Sequence, residues 1–370
     1  MVKWLSLAGP RGKPDTLFLC LLAFLTVFGF VMLTSASSDL AQAKFGESWY
    51  YLQHQLMNGF SIGLVGFLAG FFVYYRVWEK LSVPFLLFTL ALLVLVWTPL
   101  GVHLKGGERW LSAGFFTFQP SELLKLSFLI YLASWFARSK MRSKSFFGGF
   151  VPFLMLVGAV MVLLIAQPST TTAIIIFATA FLVYFAAGAK FHFLAAAVLI
   201  AALGVSLLVY LAPYRMERVL TFLNPSRDEL GASYHINQAL IAIGSGGWTG
   251  VGFGQSTTKL KFLPEPIGDS IFAVVAEELG FVGAAGLVAL FAVFVWRGLT
   301  IARRASDMFG RLLATGFVSL IGIQTFVNIA AISGIIPLTG VPLPFISYGG
   351  TALAVFLTMS GIIANISRYR

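Results

Sequence analysis

The chain has 370 residues, of which 58% are hydrophobic and 11% are charged, and its mean hydropathy is +0.90. This composition excludes an ordinary soluble domain and predicts an integral membrane protein, in which lipid replaces much of the buried core. The net charge of +11 does not predict nucleic-acid binding, because the basic residues flank apolar runs. The single cysteine, Cys20, excludes a disulfide framework and a cysteine-ligated metal.

Ten apolar runs are each long enough to cross about 30 Å of hydrocarbon with some tilt. We therefore predict an all-α integral membrane protein with ten transmembrane helices in a single domain over 1–370. The first run is long enough to span, which argues against a cleavable signal peptide. Only Gln167-Pro168-Ser169 separates the fifth and sixth runs, so these two are expected to form a tight hairpin. The predicted spans are 15–37, 53–75, 82–100, 120–138, 147–167, 170–188, 191–211, 269–296, 309–334 and 346–367.

Basic residues are concentrated in alternate connections, and the positive-inside rule then places both termini in the cytoplasm. The outer segments that result are 38–52, 101–119 and a large extracytoplasmic loop, about 212–268, between helices 7 and 8. Because the inner connections are short, we expect any chemistry to face outward. The basic residues of the cytoplasmic segments are Lys3, Arg11, Lys13, Arg76, Lys80, Arg138, Lys140, Arg142, Lys144, Lys190, Arg297, Arg303, Arg304, Arg311, Arg368 and Arg370, and those of the short outer segments are Lys44, Lys105, Arg109 and Lys125.

The first outer stretch with candidate chemistry is 105–125, KGGERWLSAGFFTFQPSELLK. Glu122 lies in the first turn of a predicted helix, where a carboxylate is favourable near the positive helix end. Lys125 follows one turn later and either snorkels to the headgroups or acts together with Arg109. Two outward cations near lipid headgroups are able to hold a pyrophosphate. The four histidines are scattered and predict no histidine metal site, although a metal held by carboxylates and phosphate oxygens remains open.

The long outer segment contains a stretch with helical apolar spacing from Tyr234 to Ile243, and six glycines between Gly244 and Gly254. These glycines do not form a dinucleotide fingerprint, since no strand precedes them. They are either a flexible connector or a backbone that must pass close to a ligand or pack into a cavity. Both interpretations are open from the sequence.

Acidic residues are concentrated in Phe262–Gly280, which holds four of the 14 in the chain. Acids at the mouth of a membrane helix are costly unless they face water, a partner or a substrate. Asp269 fits two roles equally well, an N-cap of the following helix or a general base with a raised pKa. Glu277 and Glu278 lie about two turns deeper, and we expect one of them to pair with a cation or a helix end.

The last outer segment, ISGIIPLTGVPLPFISYGGTALAV, combines three prolines with Gly349-Gly350. Such a turn at membrane depth must be covered by protein or water. Ser347 and Tyr348 could then reach a shared cavity.

Taken together, these stretches resemble the SEDS family of cell-wall proteins, the group of FtsW, RodA and SpoVE, and the resemblance covers nearly the whole membrane region. The SASS sequence at Ser35–Ser38 and LPFISYGG are slightly closer to the FtsW and SpoVE members. The similar stretches are GGERWLSAGFFTFQPSELLKLSFLIYLA, RVLTFLNPSRDELGASYHINQALIAIGSGGWTGVGFGQS, FLPEPIGDSIFAVVAEELGFVG and FVNIAAISGIIPLTGVPLPFISYGGTALAVFLTMSGIIANISR.

The resemblance implies a peptidoglycan glycosyltransferase of the bacterial cytoplasmic membrane that polymerises lipid II on the outer face. It implies undecaprenyl-pyrophosphate-linked glycan as product, and as partners a class B penicillin-binding protein with divisome or elongasome proteins. The family's catalytic aspartate falls on Asp269. The residues expected to bind substrate are Arg109, Glu122, Lys125, Glu265 and Ser347. No protein-ligated metal is predicted, while Mg²⁺ or Mn²⁺ bound with the pyrophosphate is left open.

The chain departs from the family pattern at two places. Ile267-Gly268 replaces a common His-Thr, so no imidazole adjoins Asp269 in sequence, and Ser169 replaces the acid of QPDLG. The alternative function is a lipid II flippase. A transporter is expected to carry internal repeats and a midplane site, and the sequence has neither. A non-catalytic scaffold is the third hypothesis, which the presence of Asp269 disfavours.

Overall fold

Helices form along nearly the whole chain, because a backbone in lipid must satisfy its own hydrogen bonds. The computed structural model describes residues 12–104, 107–112, 117–139, 141–224, 231 and 233–369. Lys3, Arg11, Lys105, Lys140, Arg370 and the loop positions 225–230 and 232 lie outside the described residues. The helices are α1 Thr16–Phe45, α2 Tyr50–His54, α3 Ser61–Phe72, α4 Arg76–Leu95, α5 Pro120–Ala137, α6 Val151–Ala166, α7 Thr170–Ala186, α8 Phe191–Leu211, α9 Pro213–Leu223, α10 Tyr234–Ser245, α11 Thr258–Lys261, α12 Ile271–Arg304, α13 Met308–Ile332 and α14 Gly350–Ile366.

Seven of the described helical segments are long and apolar enough to cross a membrane by length and composition. The shorter α7 and α14 are also apolar. A helix lies at every predicted span, and the predicted hairpin is present, since α6 ends at Ala166 and α7 begins at Thr170. The chain is therefore an integral membrane protein, and the count of ten crossings stays a prediction. The seven segments are Thr16–Phe45, Tyr50–Phe72, Arg76–Leu95, Phe146–Ala166, Phe191–Leu211, Ile271–Arg304 and Met308–Ile332.

The outer segment 101–119 contains a small antiparallel sheet that the all-α prediction did not include. Its strands are β1 Gly101–Leu104, β2 Gly107–Ser112 and β3 Thr117–Phe118, in the order β1-β2-β3. Leu111 pairs with Gly101 on one side and Phe118 on the other, and its side chain is buried. The sheet leads directly into α5, which begins at Pro120, so it fixes the position of Arg109 relative to α5.

The buried centre of the molecule is formed by α5, α13 and α14. In the 18-residue apolar stretch of α13, 67% of the residues are buried, whereas in that of α8 the share is 11%. α14 packs along α3, where Gly63 and Gly70 leave room for its backbone at Ala354 and Ile362. Small residues allow such close helix contacts in membranes.

Residues just before α1 bind residues just after α14 at one side of the molecule. Asp15 caps α1 by accepting from Phe18 N at 3.1 Å, and its carboxylate also receives two bonds of 2.8 Å from Arg297 near the end of α12. The backbone N–H of Asp15 donates to Ser367 Oγ at 2.9 Å, and Gly12 N donates to Arg368 O at 2.9 Å. The start of α1 and the end of α14 are thereby joined.

The helix α12 is interrupted at Gly280, whose φ of 68° and ψ of −168° are not helical. The break frees backbone groups on both sides, and the segment 244–254, here named the glycine segment, satisfies them. Val251 N donates to Glu277 O at 3.0 Å, and Phe281 N donates to Gly247 O at 2.8 Å. The part of α12 before Gly280 therefore forms a short, separately held helix that directly follows the Asp269 region of the chain.

Glycine is required in this segment because backbone packs directly on backbone. A Cβ at Gly246 would overlap the carbonyl oxygen of Ala276, and a Cβ at Gly250 would overlap that of Glu278. At these two positions the structure thus favours the packing interpretation over a flexible connector.

Candidate active site

Asp269 lies in a tight turn, residues 264–270, which we name the Asp269 turn. Two backbone bonds close it, from Gly268 N to Glu265 O at 2.9 Å and from Ser270 N to Glu265 O at 3.3 Å. Glu265 has a φ of 48°, a left-handed conformation that costs a non-glycine residue about 1–2 kcal/mol. Backbone strain of this kind is found at functional sites, where the surrounding structure holds it.

The helix that follows the turn begins at Ile271, and Ser270 occupies its N-cap position. Asp269 is therefore one residue before the position that the capping hypothesis assigned to it. Its side chain is half-buried, and a Cβ at Gly340 would lie 3.7 Å from its Oδ2 atom. The carboxylate thus faces the last outer segment, while Glu265 at the start of the turn is exposed.

Asn328 of α13 holds the backbone at Asp269. Its Nδ2 atom donates to Asp269 O at 2.8 Å and to Val341 O at 2.8 Å, so one amide joins the Asp269 turn to the last outer segment. Asn328 is almost completely buried. An amide in this position restricts the backbone that carries the carboxylate.

Ser347 holds the same turn from the segment before α14. Its Oγ donates to Gly268 O at 2.6 Å and accepts from Leu343 N at 2.8 Å. Tyr348 N adds a bond of 2.8 Å to Ile267 O. The structure therefore places Ser347, predicted to bind substrate, in buried contact with the backbone that carries Asp269.

Lys125 is buried inside the helix bundle and does not snorkel to the headgroups. Its side chain is 1% exposed, and its Nζ atom contacts Glu122 Oε1 at 2.6 Å and Gln324 Oε1 at 2.8 Å. Gln324 in turn donates to Pro342 O at 2.9 Å. A buried ion pair on α5 is thus linked through α13 to the last outer segment, near the groups that hold Asp269. Its stability depends on this full set of partners, because an isolated buried charge is very costly.

Arg109 joins the small sheet to the hairpin between α6 and α7. Its Nε donates to Gln167 O at 3.0 Å and its Nη2 to Pro168 O at 2.6 Å. Thr171 at the start of α7 donates to Thr339 O at 3.0 Å, next to Gly340. The hairpin that carries Ser169 in place of the family's acid is therefore held against the segment that faces Asp269.

Glu277 and Glu278 bind two parts of one neighbouring segment. Glu277 accepts from Ser256 Oγ at 2.5 Å and Thr257 N at 3.1 Å, before α11. Glu278 pairs with Lys259 Nζ at 2.7 Å. One therefore pairs with a cation and the other with a helix end, and both are buried. These contacts give both acids a structural role in fixing the short part of α12 before Gly280.

Three residues of the site were missed by the sequence reasoning. Gln324 and Asn328 are amides four residues apart in an apolar run, a spacing that puts both on one helix face and that could have revealed them. His235 of α10 lies 2.7 Å from Ser270 Oγ through its Nε2 atom. The chain thus has an imidazole one residue from Asp269 after all, brought from 35 positions away.

Known proteins are similar to this chain over nearly its whole length. The FtsW, RodA and SpoVE family model, described as a cell cycle protein, matches residues 15–370. The chain is 39% identical over 366 residues to stage V sporulation protein E of Bacillus subtilis, covering 97% of this chain and 98% of that protein. It is 38% identical over 354 residues to the probable peptidoglycan glycosyltransferase FtsW of Geobacter metallireducens, covering 95% and 94%.

Two solved structures share the fold. A chain from a study of the structural coordination of polymerization and crosslinking by a peptidoglycan synthase complex superposes with a TM-score of 0.80 at 28% identity, over 96% of this chain and 98% of that one. The rod shape determining protein RodA of Thermus thermophilus superposes with a TM-score of 0.71 at 27% identity, over 100% of both chains.

Proposed function

The chain belongs to the FtsW, RodA and SpoVE family of cell cycle proteins, and from this we propose that it is a peptidoglycan glycosyltransferase that polymerises lipid II. Curated relatives over nearly its whole length carry the name peptidoglycan glycosyltransferase FtsW. The observation that carries the proposal within this chain is Asp269, held at the mouth of α12 by Asn328 and the Asp269 turn.

In the proposed reaction Asp269 is the general base. Its carboxylate takes the proton of the acceptor sugar 4-hydroxyl, and the oxygen forms a bond to the anomeric carbon of the lipid-linked donor. The bond from that carbon to the pyrophosphate breaks, the lipid pyrophosphate leaves, and the anomeric configuration inverts. Fixed placement of the base supports this role, because a positioned group avoids much of the entropic cost of the reaction.

Arg109 is the cation that best fits the departing pyrophosphate. Its bonds of 3.0 Å to Gln167 O and 2.6 Å to Pro168 O fix the guanidinium group beside the hairpin, which is itself held against the segment that faces Asp269. Lys125 would need an exposed Nζ atom for the same task, and this atom is buried against Glu122. We therefore assign Lys125 and Glu122 to positioning the last outer segment through Gln324.

A divalent cation fits the site only as a partner of the pyrophosphate. The described residues contain no group of three or more histidine, cysteine or acidic side chains that could hold a metal. Mg²⁺ commonly binds one or two carboxylates together with substrate phosphates. Glu265, exposed in the Asp269 turn, would supply such a carboxylate while Asp269 acts as the base. When bound, the cation would neutralise charge on the phosphates.

We further propose ten membrane crossings with both termini in the cytoplasm and the segment 212–268 outside the bacterial cytoplasmic membrane. Support comes from the basic residues of the inner connections, such as Arg303 and Arg304, and from the cluster of site residues at the opposite helix ends. The partner we propose is a class B penicillin-binding transpeptidase of the divisome or elongasome. This rests on the fold shared with a chain of a peptidoglycan synthase complex that couples polymerization to crosslinking.

A lipid II flippase finds less support. The break of α12 at Gly280 is a feature that transporters share, since interrupted helices often form their binding sites. In this chain the glycine segment fills the break with backbone hydrogen bonds, for example from Val251 N to Glu277 O. These bonds satisfy the backbone groups that a substrate would otherwise contact.

The test of the proposed function is polymerisation of lipid II by the protein reconstituted in liposomes with a class B transpeptidase. Asp269→Asn should lower the glycan polymerisation rate by about 10²–10⁴, since it removes the base while preserving the shape of the side chain. Asp39→Asn, at an exposed acid near the outer end of α1, is the matched control and should leave the rate unchanged.

Wild-type polymerisation by Asp269→Asn would remove the base assignment. Translocation of lipid II without any glycan from the wild-type protein would instead identify a flippase. A parallel series with EDTA, Mg²⁺ and Mn²⁺ decides whether the pyrophosphate needs a cation.

A further inference from the structure

We propose that His235 of α10 is a positioning residue for Asp269, acting through Ser270. The inference rests on the proposed function, since it concerns how the general base of that reaction is held. His235 does not contact the reacting atoms in this role. It fixes the residue that directly follows the base.

The direction of the hydrogen bonds follows from the donors available. Ser270 Oγ has one hydrogen, and its contact with Pro264 O at 2.8 Å must use that hydrogen, because a carbonyl only accepts. Ser270 Oγ therefore accepts from His235 Nε2, 2.7 Å away. Neutral His235 must carry its proton on Nε2. The imidazolium form also has a hydrogen on Nε2, so the bond remains when the ring is protonated.

The relay from His235 to Ser270 to Pro264 spans the whole Asp269 turn. Ser270 is 0% exposed, so its hydroxyl has no access to water as a substitute partner. Its side chain makes no capping bond to α12 and instead donates to Pro264 O within the turn. A loss of the imidazole donor would therefore leave this hydroxyl with one partner and loosen the end of the turn next to the base.

The relay is independent of the other groups that hold the turn. Asn328 reaches it from α13 and Ser347 from the segment before α14, whereas His235 reaches it from α10. α10 also continues into the glycine segment, which is bonded to the break of α12. α10 and the glycine segment that follows it thus bind α12 at its beginning and at its break, which helps to set the direction of Asp269 relative to the last outer segment.

The first test compares His235→Phe with His235→Gln in the lipid II polymerisation assay with the partner transpeptidase. Phenylalanine keeps a ring of similar size without a donor, and glutamine supplies an amide N–H. We expect His235→Phe to lower kcat about 10- to 100-fold with KM changed less than about twofold, because misplacement of a base affects turnover. His235→Gln should recover kcat to within about threefold of wild type by restoring a donor.

Two further variants separate positioning from folding. Ser270→Ala should lower kcat at least as much, since it also removes the bond to Pro264 O, and adding His235→Phe to it should lower kcat no further. His192→Phe, at an exposed histidine of α8, is the control and should behave as wild type. Rates are taken per folded protein, measured by monodisperse elution and thermal unfolding.

A second test needs no activity. The chain has four histidines, so selective ¹⁵N-histidine labelling gives few signals, and the His235 signal is identified by its loss in His235→Gln. At about pH 9, above the usual histidine range, the signal should report the Nε2–H tautomer and should shift in Ser270→Ala. The Nδ1–H tautomer at His235 would overturn the relay.

The activity outcomes are also distinct. Equal kcat for His235→Phe and wild type, or equal loss in the Phe and Gln variants, would overturn the inference while Asp269→Asn still supports the proposed function. Absence of polymer from wild type would count against the proposed function itself, and the tautomer measurement would then decide on the relay alone.

Discussion

The residue that best illustrates the cost of building this site is Lys125. Its ammonium is buried, and the carboxylate of Glu122, the amide oxygen of Gln324 and the face of the Phe356 ring replace the water that it has lost. Buried ion pairs contribute little net stability, yet removal of one partner leaves an uncompensated charge and costs about 3–5 kcal/mol. Lys125 also donates to Gln324, and Gln324 donates to Pro342 O. The buried pair on α5 therefore helps to fix the segment that faces Asp269.

We expect Lys125→Met to lower the free energy of unfolding by about 3–5 kcal/mol and to slow polymerisation, because Glu122 loses its counter-ion. Adding Glu122→Gln should restore a large part of the stability. The matched control is Arg76→Met, which breaks the pair with Asp307 where the arginine side chain is 51% exposed, and should cost at most about 1 kcal/mol.

Thermal unfolding in detergent and the polymerisation rate measure both effects. A loss in Lys125→Met no larger than in Arg76→Met would contradict the buried-pair argument.

At the scale of elements, the interrupted α12 is the part that organises the site. A continuous helix would place Ile271 and Arg297 on one straight axis, whereas the break at Gly280 lets the short part before it take its own direction. The glycine segment fixes that short part through the backbone, and Glu277 and Glu278 fix it through their side chains. Precise placement of Asp269 therefore depends on residues two to three turns away along α12.

Gly250→Ala should destabilise the protein by about 2 kcal/mol or more, because the new Cβ overlaps Glu278 O and the residue has a φ of 83°. Gly204→Ala on α8 is the control, since a Cβ there meets no atom within 4 Å, and it should be neutral or stabilising by up to about 1 kcal/mol. Thermal unfolding followed by tryptophan fluorescence compares the two.

Equal stability of the two alanine variants would mean that the glycine segment does not pack tightly on α12. Reduced polymerisation at a temperature where Gly250→Ala is still folded would support its part in placing the base.

At the scale of the whole molecule, the basic residues Arg297, Arg303 and Arg304 and the candidate site lie at opposite ends of α12. Asp15 and Arg297 are paired at the predicted cytoplasmic side, where Arg303 and Arg304 also lie. Asp269 and the segments that hold it lie at the other ends of the same helices. The positive-inside rule then predicts that the site is on the outer face, where the proposed polymerisation would take place.

Cysteine labelling tests this orientation in a Cys20→Ala background. A membrane-impermeant maleimide added to intact spheroplasts should label Gln255→Cys and Asp39→Cys, which are exposed in the predicted outer segments. Met141→Cys, exposed in a predicted inner connection, should react only after permeabilisation. Labelling of Met141→Cys in intact spheroplasts would reverse the topology.

The sequence predicted helices well and their contacts poorly. Long apolar runs allow few structures in lipid, so the hairpin at Gln167-Pro168-Ser169 and the helix from Tyr234 were found within a few residues. The sheet at 101–118 was missed because its strands are short. The contacts of Lys125 and His235 could not be predicted, because their partners, Gln324 and Ser270, are distant in sequence and only the packed fold brings them together.

The packing of α14 along α3 has a consequence for how the protein is made. Ribosomes deliver α3 long before α14, so the face of α3 at Gly63 and Gly70 receives its partner only when α14 has emerged. The bond from Gly12 N to Arg368 O likewise closes only after α14 has been made. Membrane insertion must therefore keep α3 without this partner until then, and a chain cut short before Gly350 would lack one of its three central helices.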